Sequence, residues 1–287
     1  MLTWHRKRML KFLNKFNNKL IKALMNNKIL KVTGLCCLLC CSSLKAMVIR
    51  HDVNDSEYIN LASHFNSTVT FTMLHNTKDV VQGTGTIIRN NWVLTAAHVA
   101  NILKVGDDVH VDSKIQTIQK IIIHPKWQDR KFPFDIALVK IEMTPERMVI
   151  ANLYDKSDEV SQIATFLGRG DFGNGLKGII NSDGLLRAAQ NVVEEVDPQW
   201  IRFKFDQGDS SLALEGISGP GDSGGPALIS NDKGLFIIGV SSWQDAAPTN
   251  WLEARYNVIE NYSRVSYFID WIRENTVDCA QKKECTK

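Results

Sequence analysis

Three short segments of the chain carry residue types that together can catalyse acyl transfer. His98 follows the letters VLTAA, Asp135 precedes IALV, and Ser223 lies within GDSGGP. A serine hydroxyl becomes an effective nucleophile when a histidine takes its proton and a carboxylate orients that histidine. These residues therefore predict a Ser-His-Asp triad in which Ser223 attacks a carbonyl carbon.

The loop around Ser223 also predicts the hydrogen-bond donors that such a reaction needs. An oxyanion forms when the serine attacks, and backbone N–H groups aimed at that oxygen stabilise it. We expect the N–H groups of Gly221 and Ser223 to form this oxyanion hole. Glycine at position 221 allows backbone angles that a side chain resists.

The G-x-S-x-G pattern around Ser223 by itself also fits the nucleophile turn of lipases and esterases. That fold requires the chain order serine, acid, histidine. The last histidine of this chain is His124, so no base follows the serine. The subtilisin order would need an acid before His98, and Asp79 does not lie in a comparable apolar run.

With its three motifs in the order His, Asp, Ser, the chain resembles the trypsin/chymotrypsin-type serine peptidases over roughly residues 48–275. The letters GRG at 168–170 stand where that family has Gly-Trp-Gly. The letters SSW at 241–243 fit the strand that borders the family's substrate cleft.

The resemblance implies an all-β fold of two antiparallel six-stranded β-barrels, about 48–148 and 149–275, with a C-terminal α-helix. His98 and Asp135 would come from the first barrel and Ser223 from the second. The catalytic groups would then meet in the cleft between the barrels.

The distribution of apolar residues agrees with such a fold. Short alternating apolar runs between Gly, Asn and Asp are typical of strands. The predicted strands include 85–88, 115–123, 136–141, 201–205 and 235–242. Near the end of the chain, Val265, Phe268, Ile269 and Ile272 recur at helical spacing and predict a helix.

The resemblance also assigns a substrate pocket. Its residues are Ile217, Ser242, Trp243, Gln244 and Glu260. Ile217 stands where trypsin relatives carry an aspartate, so its apolar side chain favours apolar or small substrate side chains. Gln244 replaces a common glycine at the mouth. Glu260 matches another position of the pocket wall and leaves a preference for basic side chains open.

Asp222 is the candidate for an activation ion pair. In the family that the chain resembles, the matching acid pairs with a newly freed α-amino group, and this organises the oxyanion loop. The segment Met47-Val48-Ile49-Arg50 would supply that group. The alternative is that Asp222 only accepts hydrogen bonds within its loop.

Residues 1–46 have the composition of a leader. They hold ten Lys and Arg residues and no acid, so the rest of the chain has 24 basic and 31 acidic residues. That balance of −7, against +3 for all 287 residues, lacks the basic footprint of nucleic-acid binding. A cationic stretch at 25–31, an apolar run at 32–39 and a polar end predict a secretory signal peptide.

The leader predicts a secreted or periplasmic protein that meets a membrane only through residues 1–46, with 47–287 as the peptidase domain. We expect the true start at Met25. The alternative is that residues 1–24 form a genuine basic amphipathic extension, because Phe12, Phe16, Leu20 and Leu24 recur at helical spacing.

Four of the six cysteines lie in the leader, which leaves Cys279 and Cys285 as candidates for a disulfide. The resemblance implies further cysteines after the catalytic histidine and beside the serine loop, where Val99 and Gly219 stand. We therefore expect barrels held by core packing alone, which favours an exported bacterial branch of the family.

Together these observations predict an exported serine endopeptidase that acts on proteins or peptides. Two alternatives are an esterase or acyl-transfer enzyme that uses the same triad, and a non-catalytic relative that binds peptides. No cofactor and no metal site is expected, and the sequence contains no signal for an oligomeric state.

Overall fold

Antiparallel strands make up most of the chain in its computed structural model, which describes residues 47–75, 78–89, 91–111, 114–250 and 252–276. The strands are β1 (Val48–Ile49), β2 (Thr68–His75), β3 (Lys78–Arg89), β4 (Trp92–Thr95), β5 (Asp108–Val111), β6 (Lys114–Ile123), β7 (Ala137–Ile141), β8 (Asn152–Leu153), β9 (Ile163–Gly168), β10 (Phe172–Asn174), β11 (Gly178–Asn181), β12 (Arg187–Val192), β13 (Glu195–Val196), β14 (Trp200–Lys204), β15 (Gly216–Ile217), β16 (Pro226–Asn231), β17 (Gly234–Asp245) and β18 (Ile259–Arg264). The helices are α1 (Asp55–Ala62), α2 (Ala97–Ala100) and α3 (Val265–Thr276), with 3₁₀ turns at Gly208–Ser210 and Ala247–Thr249.

The predicted signal peptide (1–46, with the start at Met25) and the predicted disulfide partners Cys279 and Cys285 lie outside the described residues. Within the described ranges, no helix combines the length and apolar character needed to cross a membrane.

Six strands of the N-terminal half close into a barrel in the order β2-β3-β4-β7-β6-β5. Closure comes from pairing of β2 with β5, where Val69 lies opposite Val111. Alternate strand residues point to opposite faces, so one apolar set from every strand fills the interior. Val69, Phe71, Leu94 and Val109 are all fully buried there. This confirms the first predicted barrel.

The second half is a half-barrel sheet, which is consistent with the predicted all-β fold of two barrels and a C-terminal helix. Its sheet has eight strands in the order β12-β9-β16-β17-β18-β14-β13, with β8 alongside β17. On the open side the Asn191 side-chain amide donates to the carbonyl of Lys204 in β14 at 2.9 Å. The chain then continues from β12 into β13, which pairs with β14, so backbone hydrogen bonds also reach across this side.

The segment that begins at Met47 associates with this second sheet, although the sequence interpretation placed it in the first barrel. β1 pairs parallel with β10 and antiparallel with β15, where Val48 lies opposite Ile217. α1 packs on β12, and its Tyr58 is fully buried in the core of the second half. The start of the described chain is therefore anchored close to the loop that carries Ser223.

The C-terminal helix is confirmed, and it extends four residues beyond the predicted stripe. Val265, Phe268 and Ile272 of α3 are buried against the first core, which is what their helical spacing predicts. α1 was missed because it is only eight residues long. Its signal is weak: two acids in the first turn, and Tyr58 and Ala62 four residues apart on the buried side.

Buried ion pairs supplement the packed cores, which corrects the expectation of core packing alone. The fully buried Arg187 contacts Asp55 of α1 at 2.5 and 2.6 Å and Asp183 at 2.8 and 2.9 Å. Burial opposes its charge, but the hydrogen bonds to Asp183 and Asp55 raise the pKa of Arg187 above its ordinary value. The fully buried Glu159 similarly binds Arg264 of β18 through both oxygens, at 2.9 and 2.8 Å.

We expect Arg187→Ala to lower the free energy of unfolding by about 3 kcal/mol, because it leaves two acids without their partner and opens a cavity. Urea unfolding followed by fluorescence measures this. Arg273→Ala is the matched control: its pair with Asp155 is exposed on both sides, so its loss costs about 1 kcal/mol or less. Equal effects of the two variants would contradict the structural role of Arg187.

Candidate active site

Two neighbouring strands of the first barrel bring His98 and Asp135 together. His98 lies in α2, directly after β4, and Asp135 lies just before β7. The strands pair with Thr95 opposite Ala137, so the residues that flank this pair are close. Asp135 Oδ2 lies 2.7 Å from His98 Nδ1, and Oδ1 accepts the backbone N–H of His98 at 2.9 Å.

The second sheet completes the surroundings of this carboxylate. Asp135 is 2% exposed, and the hydroxyl of Ser242 donates to its Oδ2 at 2.5 Å. Ser263 donates to the Asp135 carbonyl at 2.7 Å. A carboxylate only accepts hydrogen bonds, so the Nδ1 of His98 carries the proton and Nε2 is the basic nitrogen. The arrangement thus prepares the imidazole to accept a proton on its outer side.

Ser223 lies in the loop between β15 and β16, and that loop is pinned to both halves of the fold. The N–H of Thr84 in β3 donates to the Ser223 carbonyl at 2.8 Å, and the N–H of Gly224 donates to Ser241 of β17, also at 2.8 Å. Thr84 Oγ1 also donates to the carbonyl of Gly221 at 3.1 Å. The serine therefore sits on a loop that both halves hold in place.

The backbone of this loop presents two donors without protein acceptors. In the described part of the chain, neither the N–H of Gly221 nor that of Ser223 donates to a protein group. Gly221 has φ +90, and a Cβ there would lie 2.8 Å from Gly170 Cα. Only glycine adopts this conformation readily, so the residue type at 221 determines the direction of these N–H groups.

Asp222 points inward, away from the two donors. It is 1% exposed, and its carboxylate accepts the N–H groups of Gly170 at 2.7 Å, Gly219 at 2.8 Å and Met47 at 2.9 Å. Burial raises the pKa of Asp222 to about 6, although these N–H donors oppose the shift. A Cβ at Gly168 would overlap Oδ1, which explains the glycine at that position.

Comparison with known proteins assigns this chain to a family. The Trypsin family model matches residues 62–272. The chain belongs to the trypsin family of serine endopeptidases. It is 30% identical over 214 residues to a collagenase of Hypoderma lineatum, a match that covers 67% of this chain and 75% of the collagenase. It is 27% identical over 214 residues to coagulation factor XI of Bos taurus, covering 67% of this chain and 33% of that protein.

Next to Ser223, this trypsin-family chain has a cavity of about 380 Å³, here called the Glu260 cavity. Its lining consists of Phe132, Ile179, Ser218, Gly219, Pro220, Ser223, Ser241, Ser242, Trp243, Gln244, Glu253, Ala254 and Glu260. Four of the five predicted pocket residues therefore line it. Ile217 does not: it is fully buried in a separate apolar cluster with Val48 and Phe205.

The buried carboxyl group of Glu260 is the main polar feature of this cavity. Glu260 Oε2 accepts the N–H of Ser218 at 2.9 Å, and Oε1 accepts the Ser218 hydroxyl. Burial raises the pKa of Glu260 to about 8, although the N–H of Ser218 opposes the shift. The side chain of Gln244 bridges the Ser218 carbonyl at 2.8 Å and the Ala254 N–H at 3.1 Å, so it shapes the wall.

A second cavity of about 350 Å³, here called the His98 cavity, adjoins the first, and the two share Phe132 and Ser242. Its lining consists of His98, Trp127, Arg130, Lys131, Phe132, Asp135 and Ser242. Phe132 stacks on Trp243 with ring centroids 4.4 Å apart, so it stands between the two cavities. Ser223 and His98 thus line neighbouring parts of one cleft.

Sequence reasoning missed Ser218, Phe132 and Ser263 as site residues. Ser218 follows Ile217 directly and Phe132 precedes Asp135 by three residues, so proximity to a motif was the available signal. No such signal pointed to Ser263, because its contact with Asp135 depends on the approach of β18 to the first barrel. No cluster of three or more His, Cys, Asp or Glu residues suited to a metal ion occurs in the described ranges.

Proposed function

We propose that Ser223, His98 and Asp135 form the triad of this endopeptidase, which acts on proteins or peptides through an acyl-enzyme. The main support for the proposal is the pair of hydrogen bonds between Asp135 and His98. One carboxylate accepts from both the ring and the backbone N–H of the same histidine. The ring of such a histidine cannot turn away from the cleft without breaking its charge-assisted hydrogen bond to Asp135, and the backbone bond keeps the carboxylate beside the ring.

In the proposed reaction, His98 Nε2 takes the proton of the Ser223 hydroxyl as the serine oxygen attacks the substrate carbonyl. The N–H groups of Gly221 and Ser223 receive the negative oxygen, since no group in the described ranges accepts from them. His98 then returns the proton to the leaving amine. Water attacks the acyl-enzyme by the same route and releases the new carboxylic acid.

We further propose that Met47 becomes the N-terminus of the active form and that Asp222 pairs with its ammonium group. The Met47 nitrogen already lies 2.9 Å from the buried carboxylate, which among the described residues has backbone donors but no cation. Met47 also has φ +59, a left-handed conformation that is unfavourable for a residue with a side chain. Cleavage before Met47 would remove that constraint, because a terminal residue has no preceding peptide group.

We propose that the same cleavage removes the leader 1–46 during export, so that secretion and activation coincide. The acidic balance of the remaining chain and the apolar run within 32–39 support this interpretation. Sequencing the N-terminus of the exported protein tests it, and a terminus within 1–46 would contradict it.

For substrate preference, we propose a basic side chain in the Glu260 cavity in place of the apolar preference predicted from Ile217. Ile217 lies outside the cavity, whereas the carboxyl group of Glu260 lies within its lining. A bound Lys or Arg would supply the counter-charge that no described residue gives this buried acid. Glu253 adds a second acid, on the exposed part of the lining.

The preference for Arg over Leu at the cleaved position is expected to depend on pH. Because the pKa of Glu260 is raised to about 8, the group is mostly neutral below pH 8 and ionised above it. The ratio of kcat/KM for Arg and Leu peptides should therefore rise between pH 6.5 and 9. In Glu260→Gln we expect this ratio at pH 9 to fall about 30-fold, for a loss of about 2 kcal/mol.

Glu253→Gln is the matched control for that measurement. Glu253 lines the same cavity but is exposed, so its charge is screened and its loss should change the ratio about 5-fold at most. A pH-independent ratio in the unaltered enzyme, or an unchanged ratio in Glu260→Gln, would contradict the basic preference.

The proposed function is tested by labelling with a fluorophosphonate reagent and by turnover of matched amide and ester substrates. We expect labelling at Ser223 and hydrolysis of both substrates. Hydrolysis of esters alone would favour the esterase or acyl-transfer alternative. Absence of labelling in the form that begins at Met47 would favour a non-catalytic peptide-binding relative.

A further inference from the structure

The His98 cavity differs in charge from the Glu260 cavity. Arg130 and Lys131 contribute to its lining, next to the aromatic rings of Trp127 and Phe132. The Arg130 side chain is 93% exposed, and its nearest acid is Asp129, at 3.8 Å and itself 67% exposed. In the described part of the chain, Lys131 forms no ion pair. The cleft thus has a cationic part next to an acidic one.

Arg130 is held in an unfavourable backbone conformation. It has φ +61, which costs a residue with a side chain about 1–2 kcal/mol. The turn around it is closed by the N–H of Lys131, which donates to the Gln128 carbonyl at 3.0 Å. Such strain persists where the surroundings impose it, and it is enriched at ligand-binding positions.

The edge of β17 determines which substrate residue faces these cations. β16 pairs with β17 only as far as Val240, whereas β18 pairs with it as far as Asp245. One edge of Ser242–Gln244 is therefore free of described strands, and an extended peptide can add to it. Successive side chains of such a peptide point to opposite sides. When one enters the Glu260 cavity, its neighbour along the edge points to the opposite side, and the His98 cavity adjoins the Glu260 cavity at Phe132 and Ser242.

We propose that the His98 cavity recognises an acidic side chain on the residue immediately before the cleaved one. This rests on the proposed endopeptidase function and narrows its substrate class to peptides with an acid-base pair ending at the cleaved bond. The acids that oppose this are Asp129 and Asp135. Asp129 is exposed, and the charge of Asp135 is already engaged by His98 and Ser242. Arg130 and Lys131 therefore dominate the field at the mouth of the cavity.

The test uses peptide pairs that differ only by Glu or Gln at the position before the cleaved Arg. Two exposed cations are expected to raise kcat/KM for the Glu peptide about 3- to 10-fold over the Gln peptide at low ionic strength. The ratio should fall towards one at 1 M salt, where exposed charges are screened. A second pair carries the Glu or Gln one position further from the bond and should show a ratio near one.

The variant Arg130→Glu/Lys131→Glu supplies the decisive comparison. We expect the ratio of kcat/KM for the Glu and Gln peptides to fall below one in this variant. A peptide with Lys at the same position should then be cleaved faster than the Glu peptide. Lys156→Glu, an exposed charge reversal outside both cavities, should leave the ratio unchanged. An equal rate for the Glu and Gln peptides, or a preference that survives the double reversal, would overturn the inference.

These outcomes are separable from failure of the proposed function. If that function is wrong, neither the Glu nor the Gln peptide is hydrolysed, whether the fluorophosphonate labels the protein, as for an esterase, or does not, as for a non-catalytic relative. If only the present inference is wrong, both peptides are hydrolysed at the same rate by a labelled enzyme.

Discussion

Ser223→Ala is expected to lower kcat for a peptide substrate by about 10⁶, to a rate that reflects only the oxyanion donors and binding. The reason is that alanine has no oxygen to form the acyl-enzyme, so water must attack directly. Steady-state hydrolysis of a fluorogenic peptide measures the loss. The fluorophosphonate label should disappear with it.

The other members of the proposed triad make the prediction sharper. His98→Ala should cost about as much as Ser223→Ala, and the double variant should cost no more, because the two act as a unit. Asp135→Asn should cost about 10⁴, since an amide in place of the carboxylate favours the wrong tautomer of His98. Ser210→Ala, an exposed loop serine, serves as the unaffected control. A Ser223→Ala variant with a hundredth of the original activity would exclude Ser223 as the nucleophile.

The strands that carry His98 and Asp135 could be anticipated because their determinants are local, whereas the barrel itself was implied by the family resemblance. VLTAAH and FDIALV are apolar runs that form β4 and β7, and the key residues lie at the ends of those strands. Once the two strands pair, the histidine and the aspartate have little choice of position. The buried stripe of α3 follows from helical spacing in the same way.

Features that depend on tertiary approach could not be anticipated. Counting six residues back from Ser223 reaches Ile217, but pairing of β15 with β1 turns that side chain into a separate apolar cluster. Ser218, one position later, takes the place in the cavity beside Glu260. The contact of Asn191 with β14 depends similarly on tertiary approach, and no periodic pattern distinguishes this buried amide from a surface residue.

The contact between Met47 and Asp222 bears on the proposed activation ion pair. The leader prediction places Met47 after residues 1–46, and the family resemblance implies an ammonium partner for Asp222. In the structure these atoms lie 2.9 Å apart with 174 residues between them in the chain. The role of this contact stays a prediction, and it has a large expected effect.

A protein that begins at Met47 is expected to have about 10²- to 10³-fold higher kcat/KM than one that retains residues 25–46. The freed ammonium replaces a neutral N–H beside a buried carboxylate. Without the ammonium, the buried Asp222 carboxylate has no charged partner, which costs about 3–5 kcal/mol. We expect the oxyanion loop to rearrange in response to this cost. Turnover of one fluorogenic peptide by the two proteins, made separately and checked by mass spectrometry, measures the ratio.

The pH profile and one substitution identify Asp222 as the partner in that activation. Burial raises the pKa of Asp222 to about 6 in the uncut chain, and a nearby ammonium should lower it. In the form that begins at Met47, Asp222 should therefore stay ionised below pH 6, and its protonation should not reduce activity there. Activity should fall at alkaline pH, as the ammonium loses its proton. Asp222→Asn should reduce the Met47 form to the level of the extended one. If Asp222 had only a structural role, Asp222→Asn would lower the kcat/KM of both forms alike. If it pairs with the ammonium, the substitution should lower kcat/KM of the Met47 form as much as retention of residues 25–46 does, and it should change the extended form little.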